Sequence, residues 1–174
     1  MTEDLKRVIL RFRVGMSAYA APIEVVQEVV QQEEFTRVPS MPAAIYGLMN
    51  LRGNVVPVID LMRRFDLDKS AMAMETWAIV FQMEGDERSS LMAVLSSSSA
   101  EVLTIAAGDI YPAPTFGVDI AVEYLAGMIH LGDELVLLLN VDRVLSAEDL
   151  LRTREGLARQ NHVAAECVDV AVQR

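Results

Sequence analysis

Cysteine is nearly absent from this chain of 174 residues: Cys167 stands alone, so no disulfide framework can form, and with only His130 and His162 beside it there is no Cys/His zinc cluster. The cytosol is the compartment expected of such a chain. Positive charge is scarce too. Fifteen Lys and Arg against 25 Asp and Glu leave a net charge of -10, which repels phosphate backbones and anionic lipid head groups and argues against nucleic acid or a membrane surface as partner. Long apolar runs are missing, none approaching the roughly 18 residues that span a bilayer. The opening Met1-Thr2-Glu3-Asp4-Leu5-Lys6-Arg7 carries acids where a signal peptide would carry bases. A soluble protein is expected. What the chain holds in quantity is apolar side chains, 52% hydrophobic residues against 23% charged, enough for a core in one ordinary domain or two very small ones.

Short runs of Val, Ile, Leu and Met are divided by Gly, Pro, Asn, Asp and Ser, the pattern of short strands joined by turns. Val8 to Val14 alternates, with Ile9, Arg11 and Arg13 on one face and Val8, Leu10, Phe12 and Val14 on the other. Tyr19 to Ala21 reads as a second strand, and Pro22 as the start of a helical turn leading to Val25 and Val29. Val38-Pro39-Ser40-Met41-Pro42 is a loop, because two prolines forbid a central strand. Leu48 to Leu51, a turn at Arg52-Gly53-Asn54 and Val55 to Ile59 form the clearest hairpin, followed by a brief helix from Leu61 to Phe65. Lys69 to Glu75 is a connection, Trp77 to Met83 a strand, and Leu91 to Val102 a barrel strand containing the serines Ser96 to Ser99. Gly127 to Leu139 repeats strand, turn and strand, with a short helix over Val141 to Leu145. Ser146 and Asp149 mark a helix start, predicting a helix from Ala147 to about Arg159.

The two hairpins align without a gap at an offset of 80 residues: Gly47 on Gly127, Leu51 on Leu131, Val56 on Val136, Asp60 on Asn140, Arg63 on Arg143. A repeated supersecondary unit argues for two similar subdomains. Two small, closely packed β-barrels are expected, since closing each sheet protects edges that short strands otherwise expose.

No catalytic carrier is legible. Val55 to Asp60 ends in an aspartate as a phospho-acceptor strand does, but the acidic pair and the parallel βα alternation are missing. Asp66-Leu67-Asp68-Lys69-Ser70 starts like a calcium loop, yet Ala71 stands where Gly is needed and Trp77 where a bidentate Glu is needed. Nucleophilic catalysis needs Ser or Cys beside a positioned His, whereas Cys167 lies in a tail and His130 in a hairpin strand. Nothing marks out a pair among the 25 acids. The glycines are spaced as turn residues, not as a phosphate cradle. The serine run is read as a loop or strand break in preference to a hydroxyl-lined contact, and the ten methionines partly as core filler.

With these hairpins in view, the chain resembles the CheW-type chemotaxis coupling, or adaptor, proteins. The resemblance rests on Phe12-x-Val14-Gly15 with Tyr19, Ile23 with Val26-Gln27-Glu28-Val29, Thr36-Arg37-Val38-Pro39 with Pro42, and Gly47-Leu48-Met49-Asn50-Leu51-Arg52-Gly53-Asn54-Val55-Val56-Pro57-Val58-Ile59-Asp60-Leu61. Ile110-Tyr111-Pro112-Ala113-Pro114, Glu123 to Gly127 and Leu131-Gly132-Asp133 carry it through the other half. It implies a mainly β fold of two SH3-like five-stranded β-barrels with short helices and a C-terminal helix. The expected organisation is one domain over residues 8-152, a first barrel over about 15-70 and a second over about 71-150, with the N-terminal strand open to sharing and 153-174 as helix end and tail.

The resemblance further implies a cytoplasmic, non-catalytic scaffold without cofactor or metal. Such a scaffold joins the cytoplasmic tips of methyl-accepting chemoreceptors to the regulatory domain of a CheA-type histidine kinase. Carried over residue by residue, Arg52 matches the arginine of the Asn-Leu-Arg-Gly turn associated with receptor coupling, Gly47 the glycine before it, and Val26 and Glu28 the Val-x-Glu positions that affect receptor or kinase contact. A purely structural tie from Arg52 to a nearby carboxylate is the alternative for that residue. Where relatives carry Val-Asp-x-Val, this chain has Ser96 to Ser99, which puts the regularity of the second barrel in question. Two other functions stay open at this point: a same-fold adaptor in a non-flagellar pathway such as pilus motility, and a small-molecule-binding or enzymatic barrel.

Overall fold

A computed structural model describes residues 5–31, 34–37, 39–42, 44–65, 67, 77–83, 90–114 and 120–144. The strands are β1 (Lys6–Val14), β2 (Ser17–Pro22), β3 (Val26–Gln31), β4 (Ile45–Leu51), β5 (Asn54–Ile59), β6 (Trp77–Met83), β7 (Ser90–Ser96), β8 (Glu101–Ala106), β9 (Ile110–Tyr111), β10 (Leu125–Leu131) and β11 (Glu134–Leu139). Two single-turn helices, α1 (Leu61–Arg64) and α2 (Val141–Val144), follow the two hairpins. The expected helix from Ala147 and the tail lie outside the described residues.

The strands form two sheets, one of five in the order β3-β6-β7-β5-β4 and one of six in the order β8-β1-β2-β11-β10-β9. Both sheets close. In the first, the chain leaving β3 at one edge reaches the opposite edge, where Thr36 and Leu48 exchange two backbone hydrogen bonds of 2.8 Å. In the second, β8 at one edge runs through a 3-10 turn at Ala107–Asp109 into β9, which pairs with β10 at the other. Closure leaves each small barrel without a long open edge.

The 80-residue repeat is visible in the hydrogen bonds. Asp60 N–H donates to the Ala44 carbonyl and Asn140 N–H to the Tyr124 carbonyl, both at 2.9 Å. Each hairpin carries an irregularity at its glycine, between Ile45 and Gly47 and between Leu125 and Gly127. The sheets do not, however, divide the chain near residue 70. β6 and β7 belong with β3, β4 and β5, whereas β1 and β2 complete the other barrel beside β8 and β11. The β1–β2 hairpin therefore holds in the second barrel the place that β6–β7 holds in the first, entered from the other end of the chain. Local alternation marks a strand but carries no information on which sheet accepts it.

Two local expectations are corrected as well. Residues Val26–Gln31 form a strand instead of continuing a helical turn, which is confined to Ile23–Val25. β3 is apolar on both faces because Val29 packs on the cluster between the barrels and Val30 on the interior of the first barrel. Leu91 to Val102 is not one strand: β7 ends at Ser96 in the first barrel and β8 begins at Glu101 in the second. The serines are the crossing from one barrel to the other.

Each barrel has a small interior. The first holds Met49, Val56, Val58, Ala78, Val80, Ala93 and Leu95. The second holds Ile9, Ala18, Ala20, Ile105, Ile129, Val136 and Leu138. The larger cluster lies between them, where Phe12, Tyr19, Phe81 and Met92 from the two sheets and Leu61 of α1 are almost wholly buried. Separating the barrels would expose these aromatic and long aliphatic side chains, each contributing roughly 1.5 to 3 kcal/mol by burial. The two barrels thus stabilise each other. Arg64 of α1 adds a directional tie, donating to the Val144 carbonyl at 2.9 Å with its guanidinium 4.7 Å from the centre of the Tyr124 ring.

Candidate functional site

The β4–β5 hairpin turns on two residues, Arg52 at φ 51 and Gly53 at φ 84, the pairing of left-handed conformations that fits a tight hairpin. The left-handed positions are thus Arg52 and Gly53, and Asn54 already belongs to β5. Asn50 Oδ1 accepts a 2.9 Å hydrogen bond from Gly53 N–H and fixes the turn. An arginine in the left-handed region is disfavoured, since its Cβ crowds the following carbonyl. The side chain lies at the hairpin tip with 75% of it exposed.

Arg52 and Glu28 meet: Nη2 lies 3.0 Å from Glu28 Oε2. Glu28 sits beside the β3 bulge opposite Val80 and Phe81, and Val26, at the other end of that bulge, packs on the cluster between the barrels. Three of the four sequence-predicted residues therefore belong to one region, the hairpin tip and the start of β3. A guanidinium so exposed keeps donors available for a second carboxylate, since it has five and one is engaged here.

Gly47 is placed differently. It is buried under the crossing that closes the first barrel, and a Cβ there would stand 2.7 Å from the Thr36 carbonyl oxygen. Gly127 repeats the arrangement, with the Tyr111 carbonyl oxygen at 2.8 Å. The glycine permits closure of the barrel. It offers no side chain to a partner.

Asp60, which ends β5, is fully buried. Its Oδ1 accepts from Met62 N–H at 2.9 Å and Arg63 N–H at 3.4 Å, capping α1, and Arg63 Nε lies 3.3 Å from Oδ2. This is a structural carboxylate. His130 is exposed on β10, edge-on to Tyr111 with ring centres 5.7 Å apart, and among the described residues it stands in no nucleophile–base pair. Among the described residues no group of three or more His, Cys, Asp or Glu is placed to hold a metal ion. Among them, too, no helix is long and apolar enough to cross a membrane.

Sequence reasoning passed over the exposed apolar residues. Val55 and Leu135, 50% and 41% exposed, occupy equivalent positions on the two hairpins, and Tyr111 and Val102 are also largely exposed. The signal was present in the strand alternation, where Val55 and Leu135 precede the buried pair Val56 and Val136.

Two like barrels pack through their outer faces, each built on the same hairpin unit 80 residues apart, and an exposed arginine stands at the tip of the first hairpin. The chain belongs to the CheW family: the CheW-like domain matches residues 8–149. It is 31% identical over 148 residues to a chemotaxis protein CheW of Klebsiella aerogenes, covering 85% of this chain and 87% of that one. It is 30% identical over 149 residues to the CheW of Helicobacter pylori, covering 84% and 87%, and 32% identical over 136 residues to the protein FrzA of Myxococcus xanthus, covering 77% and 82%. The fold is that of the scaffolding protein TtCheW of Thermoanaerobacter tengcongensis, with a TM-score of 0.72 at 24% identity over 85% of this chain and 93% of that one.

Proposed function

We propose that this chain is a cytoplasmic scaffold that couples chemoreceptors to a CheA-type histidine kinase, with no catalytic step of its own. Membership of the CheW family supports the coupling role. The observation that carries the site is the Arg52–Glu28 pair, exposed at the arginine and braced at the glutamate. The receptor's cytoplasmic hairpin is assigned to Arg52, Glu28 and Val26. A receptor carboxylate adds to the guanidinium while apolar receptor side chains extend the surface from Val26. Gly47 acts through the fold, by letting the chain cross at Thr36. The kinase regulatory domain binds elsewhere on the barrels. A non-catalytic role accords with Asp60, the residue nearest in pattern to a phospho-acceptor, whose carboxylate is buried and engaged in capping.

The test is direct binding of the purified chain to two fragments from its own organism: a kinase regulatory domain and a chemoreceptor cytoplasmic hairpin. Saturable binding of both is expected, with neither ATP turnover nor phosphoryl acceptance by the chain. Failure to bind either fragment would remove the coupling role, and phosphorylation of the chain by the kinase would remove the purely scaffolding one.

A further inference from the structure

The chain crosses between the barrels at Ile23–Val25 and again at residues 97–100. The second crossing is held in an uncommon way. Ser97 N–H, Ser97 Oγ and Ser96 Oγ all converge on the carbonyl oxygen of Arg13, at 2.9, 3.1 and 2.9 Å. A carbonyl oxygen has two lone pairs, so three donors compete for two places. Ser96 has a second outlet: its Oγ also lies 2.8 Å from the Ser98 carbonyl. Its single proton can serve only one of the two acceptors at a time, and since Ser96 is fully buried no water competes for it.

The end of β1 clasps the crossing from the other side as well. Arg11 pairs with Glu101, the first residue of β8, at 3.1 Å, and both Arg11 and Arg13 pair with Glu134 at the start of β11. Arg13 thus joins the first barrel's last strand through its carbonyl and the second barrel's hairpin through its guanidinium. Apolar packing between the barrels is strong but non-directional, and it resists separation better than rotation. Hydrogen bonds with defined geometry supply what it lacks.

We propose that the serine crossing, clasped on the Arg13 carbonyl, is a latch that holds the two barrels at one mutual angle and opens as a local unit. The bistable element is the Ser96 hydroxyl, which either joins Ser97 on Arg13 or withdraws to Ser98. In the first setting the crossing is pinned to β1. In the second it is held by the Ser97 amide and hydroxyl alone. This device depends on the geometry of the crossing and not on which partners the barrels bind.

Spin labels at the equivalent exposed positions Val55→Cys and Leu135→Cys, with Cys167→Ala, report the angle as a distance distribution between the barrels. The distribution is expected to broaden at least twofold when Ser96→Ala and Ser97→Ala are combined. Combining Ser98→Ala and Ser99→Ala, which leaves the donors to Arg13 in place, is expected to leave it unchanged. Amide hydrogen exchange on the unlabelled chain provides the second reading. Protection of the amide at position 97, corrected for the change of side chain, should fall at least tenfold in the first double variant while Val80 and Val136, inside the two barrels, keep theirs. An unchanged distance distribution would overturn the proposal. So would a loss of protection shared equally by Ser97, Val80 and Val136, which would show that the serines act on global stability alone.

Discussion

Arg52 and Glu28, 24 residues apart in the chain, form an ion pair of 3.0 Å in which the glutamate is mostly covered and the arginine mostly exposed. Such a pair contributes little to folding, since exposed ion pairs are typically worth about 0 to 1 kcal/mol. Its consequence lies in presentation: Glu28 braces one edge of the guanidinium and leaves the rest to a partner.

Arg52→Glu, which removes this pair and sets two carboxylates side by side at an exposed tip, is therefore expected to lower folding stability by no more than about 1 kcal/mol. Receptor-hairpin affinity should fall by about 2 to 5 kcal/mol, the range for losing one partner of an interfacial charge pair. Arg52→Gly separates the two roles further. Glycine relieves a left-handed strain of about 1 to 2 kcal/mol against a comparable entropic cost, so the melting temperature should hold while receptor binding is lost. Isothermal titration and thermal melts of both variants check this. Unchanged receptor affinity in both would remove Arg52 from the site.

The two barrel-closing glycines should behave alike. Gly47→Ala and Gly127→Ala each place a methyl group within 2.8 Å of a backbone carbonyl. Backbone must move, and each is expected to lose about 1 to 3 kcal/mol as overpacked sites do. Gly108, with open space around its Cβ position and no left-handed φ, is the control: Gly108→Ala should be neutral or gain about 0.4 to 1 kcal/mol. Urea unfolding of the three variants separates the cases. If Gly47→Ala abolished partner binding at full stability, the glycine would be a contact residue and not a closure residue.

Asp60 and its counterpart Asn140 define a third test, because both begin a single-turn helix at the same place in the repeat. Asp60→Ala removes the acceptor for Met62 and Arg63 N–H and leaves the buried Met62 donor without its partner, at an expected cost of about 1 to 3 kcal/mol. Asp60→Asn keeps an acceptor oxygen and should cost less than half as much. Equal losses in the two variants would show that the charge beside Arg63, and not the cap, is what the site requires.

Much of this was legible in the chain, and the part that was not has a common cause. The hairpins, their 80-residue offset and the short helices depend on local pattern, and Gly47 to Asp60 with Gly127 to Asn140 display it directly. The membership of the barrels does not. β1–β2 joins the second barrel through the antiparallel pairing of β1 with β8 and the parallel pairing of β2 with β11, contacts between segments distant in sequence. For the same reason the serines read as a broken strand. The acceptor that satisfies Ser96 is Arg13, 83 residues away. Arg52 stood out as a hairpin-tip residue, but its pairing with Glu28 needed the register of β3, whose bulge no local pattern announces.

Tyr19 supplies a prediction in pH. Its phenol is buried beside Phe12 and Phe65, and burial raises it above the usual 10.0, the hydrogen bond with Ser17 opposing only in part. In the unfolded chain the phenol ionises near 10; in the folded one it keeps its proton to higher pH. Above pH 10 the unfolded state therefore binds fewer protons than the folded state, and stability falls as pH rises. The fall is at most about 1.4 kcal/mol per pH unit for one group, and it stops once the folded-state phenol also ionises. Tyr19→Phe removes the linkage while keeping the ring. Its unfolding free energy, measured in urea between about pH 9.5 and 11.5, should decline less steeply than that of the unaltered chain. Parallel slopes would mean that Tyr19 ionises alike in both states, and that its hydroxyl is not shut away from solvent between the barrels.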